Sequence, residues 1–258
     1  MDRRVNKRVG IYKKGKAKMT EGQLKSLAHS IEGVTCEDDC FVLYDIARKT
    51  QAEGDILEIG NFKGRVTVCI AKALEENGQG KIYTIDANIL NVKDCLLRSI
   101  GKFGVSNIVM PIFKHSSVAN SKWKRPLKMI WIDTDCNYFS AACDFILWER
   151  HLACGGVIAL AGANLPSIKK VVNDYIINSS RFFNVTTKGS IVFASKVRDT
   201  PVYPISRLTY IKFIYYCHYL IKKAYFGFTH LLSFLPADKN YSIKKKIGKI
   251  FDRLLLLK

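Results

Sequence analysis

The chain has 258 residues, with 41 Lys/Arg against 22 Asp/Glu and a hydrophobic content of 48%. That content supplies a core, which excludes a disordered polymer, and the length allows one large domain with appendages. The formal charge of +19 sits at the ends: residues 1–25 hold nine Lys/Arg and two Asp/Glu, residues 197–258 hold twelve and three, and the middle holds twenty and seventeen. Basic ends around a balanced middle point to an anionic partner surface, phospholipid or nucleic acid. The eight cysteines form no Cys-x-x-Cys pair, and reduced core thiols are expected. The charged N-terminus lacks the apolar run of a secretory signal, so a cytoplasmic location is expected, with peripheral attachment to the inner face of a membrane as its extension.

Three segments are expected: a basic flexible arm over 1–25, a catalytic domain over 26–199 and a basic, aromatic-rich helical extension over 200–258. Thr35-Cys36-Glu37-Asp38 reads as a helix start with Thr35 as N-cap, the helix running to Lys49. Asp55–Ile59 is a short apolar run, predicted to be a buried strand. Gly60-Asn61-Phe62-Lys63-Gly64 is a turn with glycines where the backbone bends or approaches something closely. Val66–Glu76 has helical apolar spacing and is broken by Asn77-Gly78-Gln79-Gly80. Lys81–Ile85 is a second strand, with Asp86 at its carboxyl end. A strand, glycine turn, helix and strand with a carboxylate about 20 residues on is a ribose-binding layout. The dinucleotide fingerprint needs glycine at 60, 62 and 65, and here Phe62 and Arg65 stand at two of those places. No Gly-Lys-Ser/Thr follows the turn either, so a phosphate loop is excluded. A ligand with a ribose and no phosphate remains.

Leu57-Glu58-Ile59-Gly60 followed by Gly64-Arg65 resembles the class I S-adenosylmethionine (SAM) methyltransferases. The likeness is greatest to the branch of sugar and small-molecule O-methyltransferases, although Val66 takes that branch's hydroxyl position and Thr67 follows it. The resemblance implies a Rossmann-like, doubly wound α/β fold with a mostly parallel sheet of roughly seven strands. It implies S-adenosyl-L-methionine as cofactor, with Glu58, Gly60, Asn61, Phe62, Gly64, Thr67 and Asp86 as its candidate binding residues.

Asn91–Phe103 is a further amphipathic helix, and Ile108–Phe113 a third strand in which Pro111 argues against a central place. Ser116 and Ser117 follow it; by resemblance they contact the adenine, and a hydroxyl capping the next helix is the other reading. Leu127–Ile132 is a fourth strand ending in Asp133-Thr134-Asp135-Cys136-Asn137-Tyr138. The resembling branch reads Ile-Asp-Gly-Asp-His-x-Tyr there, so Ile132, Asp133, Asp135 and Tyr138 are kept and Cys136 replaces the histidine. Carboxylates at a strand's carboxyl end are placed for chemistry in open α/β sheets. Asp133, Asp135 and Cys136 are therefore the candidate catalytic residues, with Asp133 also a cofactor candidate. The two carboxylates supply half of a divalent metal site or cap the following helix; Cys136 stands at the base position or is a packed thiol.

Val157–Leu160 is the fifth strand, followed by Ala161-Gly162 where the branch has His-Asp. With no oxygen on Gly162, a third metal ligand falls to Asn164 or to the substrate, and no tightly held divalent metal is expected. Leu165–Ile177 is a helix with Asn164 as N-cap candidate, and Phe182–Thr187 and Ser190–Ser195 form a strand pair.

Residues 200–258 hold twelve of the 29 aromatic residues. Leu208–Leu235 is mostly apolar, but Lys212, Lys222 and Lys223 interrupt it, which favours a membrane interface over a span. Ile243, Ile247, Ile250, Phe251 and Leu254 form one stripe flanked by lysines, a basic amphipathic helix; docking on the core or on another subunit is the alternative. The leading expectation is O-methylation of a hydroxyl on a sugar, glycan or small molecule, at an anionic membrane surface. A nucleic-acid methyltransferase is less favoured, since no Asn/Asp-Pro-Pro-Tyr/Phe signature is present. A catalytically inactive SAM-fold protein is the third reading, motivated by Cys136 and Ala161-Gly162.

Overall fold

A computed structural model describes residues 17–88, 92–199 and 205–232, the last stretch with side chains at 208–209, 211–217 and 219–224. Residues 1–16 and the basic stripe of 243–254 lie outside the described residues. Helix α1 (Glu21–His29) starts at a capping box: the Thr20 hydroxyl accepts from Gln23 N, and the Gln23 side chain accepts from Thr20 N at 2.9 Å. With Leu24 and Ala28 fully buried, residues 21–25 belong to a packed helix and not to the arm expected over 1–25.

Helix α2 (Glu37–Lys49) is capped by Cys36, whose Sγ accepts from Asp39 N at 3.5 Å, and not by Thr35 as expected. The Thr35 hydroxyl turns instead to Asp133. Strand β1 (Asp55–Ile59), helix α3 (Arg65–Asn77) and strand β2 (Ile82–Ile85) follow as the sequence predicts. Then come α4 (Lys93–Lys102), β3 (Val109–Ile112), the short α5 (Ser116–Asn120), β4 (Leu127–Ile132) and α6 (Tyr138–Trp148). The order ends with β5 (Leu152–Ala161), α7 (Pro166–Val172), β6 (Phe182–Lys188), β7 (Ile191–Lys196) and the long α8 (Ile205–Leu232).

The seven strands form one sheet in the order β3-β2-β1-β4-β5-β7-β6. All neighbours are parallel except β7, which runs antiparallel to β5 and β6. This is the doubly wound fold the sequence implies. Pro111 lies on the edge strand β3, where its missing N–H costs no ladder bond on the open side. One core packs α1, α2 and α3 on one face; the other packs α6 and α7 on the opposite face and includes Tyr215 of α8.

Two boundaries differ from the sequence reading. Strand β5 begins at Leu152 and not at Val157, with a register shift against β4 between Leu127 and Met129 absorbing the extra residues. Helix α7 starts at Pro166 with Leu165 as a cap lacking any side-chain bond, so the exposed Asn164 is not the cap. Proline holds its predecessor extended and its own φ helical, which fixes that start without a polar cap. Among the described residues no helix is long and apolar enough to cross a membrane.

The chain winds outward from β1 in one direction through β2 and β3, and in the other through β4 and β5. Where the order reverses, the carboxyl ends of β1 and β4 part and leave a crevice.

Candidate active site

A cavity of about 660 Å³ occupies that crevice. Its walls combine the ends of β1 (Glu58–Phe62), β2 (Ile85–Ala87) and β4 (Asp133–Cys136) with Gly33–Thr35, His115–Ser116 and Tyr215, Tyr219 and Lys222 of α8. The volume is in the range of small-molecule sites.

The first wall depends on backbone geometry. Gly60 has φ +89°, and a Cβ there would lie 2.0 Å from the Asp133 carbonyl oxygen. Any side chain would push β1 away from the loop after β4. The turn closes with Gly64 N donating to Asn61 O at 2.8 Å, and Gly64, at φ +92°, begins α3 against Leu96. Asp86 accepts from Asn61 N at 3.3 Å and from Asn88 N at 2.6 Å, which aims its carboxylate along the cavity rim. Glu58 is fully buried; its Oε2 accepts from both the Thr67 and Thr84 hydroxyls at 2.6 Å, while Oε1 has no partner among the described residues. Burial pushes its carboxyl up to about 8, against the two threonine donors. An unpaired carboxylate oxygen beside a cavity is a partner in waiting for a cation or donor.

The opposite wall carries the acids after β4. Asp133 N donates to Ile59 O at 2.8 Å, and Asp133 Oδ2 accepts from the Thr35 hydroxyl at 3.2 Å. Desolvation pushes Asp133 up to about 6, the Thr35 bond pulling the other way. Arg65 holds the segment over this wall, donating to Ile31 O and Thr35 O, each at 2.7 Å. Cys136 has φ +52°, and its Sγ donates to Thr134 O at 3.6 Å. Burial, with the Asp133 charge second, raises the Cys136 thiol, which works against a thiolate there.

Helix α8 closes the third side. Tyr215 donates to Asp144 Oδ2 at 2.7 Å, and the His115 ring lies between Tyr215 and Tyr219 at centroid distances of 4.4 and 4.6 Å. Lys222 pairs with Asp135, and burial lowers the ammonium's pKa. Asp144 is fully buried and pushed up to about 7 by desolvation, against bonds from Ser116 and Tyr215.

Of the residues singled out from sequence, Glu58, Gly60, Asn61, Phe62, Asp86, Ser116, Asp133, Asp135 and Cys136 meet at the cavity. Gly64, Thr67 and Ser117 do not line it: Gly64 shapes the turn, Thr67 stands behind Glu58, and the Ser117 hydroxyl is 2.8 Å from His115 Nδ1. Ser116 lines the wall, but its Oγ accepts from Trp148 Nε1 at 2.7 Å. Thr35, Arg65, His115, Tyr215, Tyr219 and Lys222 were not assigned to the site from sequence. For the last three a signal existed: Leu208, Ile211, Tyr215, Tyr219 and Lys222 recur at helical spacing, a stripe that fits docking on the core.

The residues do not fit a divalent metal. Gly162 has no side chain, Asn164 is exposed and off the cavity, and Asp135 is already paired with an ammonium. Among the described residues no group of three or more His, Cys, Asp or Glu is placed to hold a metal ion.

A family model described as a methyltransferase domain matches residues 57–160. In fold the chain is similar to the O-methyltransferase TomG from Streptomyces achromogenes, solved in complex with SAM, at TM-score 0.54 and 18% identity over 71% of this chain and 92% of that one. It is similar to an O-methyltransferase from Bacillus cereus in complex with SAH, at TM-score 0.53 and 19% identity over 68% and 89% of the two chains. The SAH-bound methyltransferase PaMTH1 from Podospora anserina matches at TM-score 0.56 and 12% identity, over 69% and 88%. At such identities the likeness speaks to fold. Residues 57–160, from β1 to β5, match the methyltransferase-domain model, and the chain has the fold of the class I, SAM-dependent methyltransferases.

Proposed function

We propose that this chain methylates a hydroxyl of a sugar, glycan or small molecule with S-adenosyl-L-methionine as donor. The observation that carries the reading is the buried Glu58 Oε1, unpartnered and beside a cavity that Gly60 keeps open and Asp86 borders. The residues fit the cofactor: Glu58 Oε1 is a partner for an amino-acid ammonium, and Asp86 has lone pairs left for ribose hydroxyls. When bound, SAM supplies an electrophilic methyl on a sulfonium. What the chain itself must do is align the acceptor and remove its proton. Asp133, raised to about 6 on the wall opposite the glycine turn, is the candidate base, and Thr35 holds it in place. Cys136 shapes the loop that presents the two carboxylates, its carbonyl accepting from the Ser167 hydroxyl at 2.7 Å.

Titration calorimetry with S-adenosylhomocysteine tests this. The native protein should bind, and Asp86→Ala should bind at least about tenfold more weakly because charge-assisted bonds are lost. No heat with the native protein, or equal affinity in the variant, removes the reading. A finer part concerns place: an acceptor presented at an anionic membrane surface. It is supported by Phe213 and Leu220 of α8, which stay 63% and 46% exposed, and by the basic residues of 200–258. Flotation with phosphatidylserine liposomes checks it; a chain that stays at the bottom of the gradient at low salt excludes it.

A further inference from the structure

Among the described residues, Lys63, Arg65 and Lys222 are the lysines and arginines that line the cavity. Lys63 is paired with Glu32 outside the acid loop, and Arg65 is bound to the carbonyls of Ile31 and Thr35. Lys222 reaches a different place, the Asp135 carboxylate in the loop after β4, with Asp133 and Cys136 on the same wall. Its ammonium is delivered by a docked helix. Tyr215, two turns earlier on the same face, is 4% exposed and bonded to Asp144, and Tyr219, one turn earlier, lies against His115. The next residue, Lys223, is exposed, so the helix turns one of two adjacent lysines inward.

We propose that Lys222 is the resident cation of the acceptor site. Its fixed ammonium balances the charge of the acid loop where a divalent metal would otherwise be held, and it meets the acceptor oxygen as that oxygen gives its proton to Asp133. A cation fixed by protein contacts needs no reorganisation as negative charge develops on the oxygen. Gly162 and the displaced Asn164 then follow: a site with a built-in ammonium requires no third oxygen ligand. The assignment of the oxygen to an acceptor hydroxyl rests on the methyl-transfer reading; the cation's place in the acid loop does not.

The test is Mn²⁺ binding to the full chain, read by electron paramagnetic resonance with S-adenosylhomocysteine present. The native protein should leave the free-ion signal unchanged, and Lys222→Arg, which keeps the charge, should do the same. Lys222→Ala and Lys222→Met should take up Mn²⁺ at least about tenfold more tightly than the native chain, because the acids lose their counter-charge and carboxylate oxygens suit this hard ion. Asp135→Asn added to either variant should abolish the uptake. Melting curves choose the folded variants for the comparison, Lys222→Met keeping most of the apolar stem. Mn²⁺ bound by the native chain, or no gain in a folded variant, overturns the inference and leaves the methyl-transfer reading standing. Absence of S-adenosylhomocysteine binding in the calorimetry sinks that reading without touching the Mn²⁺ result.

Discussion

In the proposed function, the cofactor wall and the acceptor wall of the cavity are built on different principles. The cofactor wall comes from one continuous stretch, Glu58 to Ala87, and its shape is set by backbone: positive φ at Gly60 and Gly64, and two amide donors on Asp86. The acceptor wall is assembled from three distant places: Thr35 before α2, Asp133–Cys136 after β4, and Tyr215–Lys222 on α8. There the fit is made by side-chain pairs, Thr35 with Asp133, Tyr215 with Asp144 and Lys222 with Asp135. A glycine turn is correct by itself. A pair is correct only when both elements have docked, and an acid left behind in the interior is costly. The acceptor wall should therefore be the part whose integrity depends on the tail.

Tyr215→Phe tests that dependence and carries the larger expected effect on stability. The variant keeps the ring against His115 but leaves Asp144, whose Oδ1 already lacks a partner, without its Oδ2 donor from α8. An unsatisfied buried polar group costs about 1–3 kcal/mol, which lowers the melting temperature by several degrees. Limited proteolysis should cut α8 earlier than in the native chain. S-adenosylhomocysteine affinity should fall far less than in Asp86→Ala. If Tyr215→Phe weakens the ligand as much as Asp86→Ala does, the two walls form one cooperative unit and the contrast fails.

The same contrast explains what could be read in advance. The cofactor wall was legible because each of its devices is local. Gly60, Gly64 and Asp86 have a spacing that only a few turns require, and Phe62 and Arg65 exclude the dinucleotide alternatives. The acceptor wall was legible only in part. Asp133 and Asp135 stand out at a strand end, but nothing near them names Lys222, which lies 87 residues further along. In a basic tail that lysine looks like every other, and only the docking of α8 separates it from Lys223. Cys136 is open for a related reason: burial and a neighbouring charge raise its thiol, and neither is visible in the chain order. Ser117 and Thr67 were drawn into the site by their nearness in sequence, while their hydroxyls face His115 and Glu58.

A smaller effect, on protons, sharpens the account of the cofactor wall. Burial raises Glu58 from its ordinary value of 4.5 to about 8, so at pH 7 the folded chain holds a proton there that the unfolded chain has lost. The stability tied to this proton is fully present below pH 4.5 and is lost as pH rises through about 8, so the melting temperature should fall across that window. Glu58→Gln, which mimics the protonated form, should flatten the decline. A ligand ammonium placed beside Oε1 favours the carboxylate, so S-adenosylhomocysteine binding at pH 7 should expel up to about one proton. Calorimetry at one pH in buffers of different ionisation enthalpy measures that number directly. Release should shrink above pH 8, where Glu58 is already ionised, and vanish in Glu58→Gln, whose affinity should also drop. Binding without proton release at pH 7 would mean that the unpartnered Glu58 oxygen faces something other than the ligand's ammonium, and the cofactor wall would then owe its selectivity to Asp86 and the turn alone.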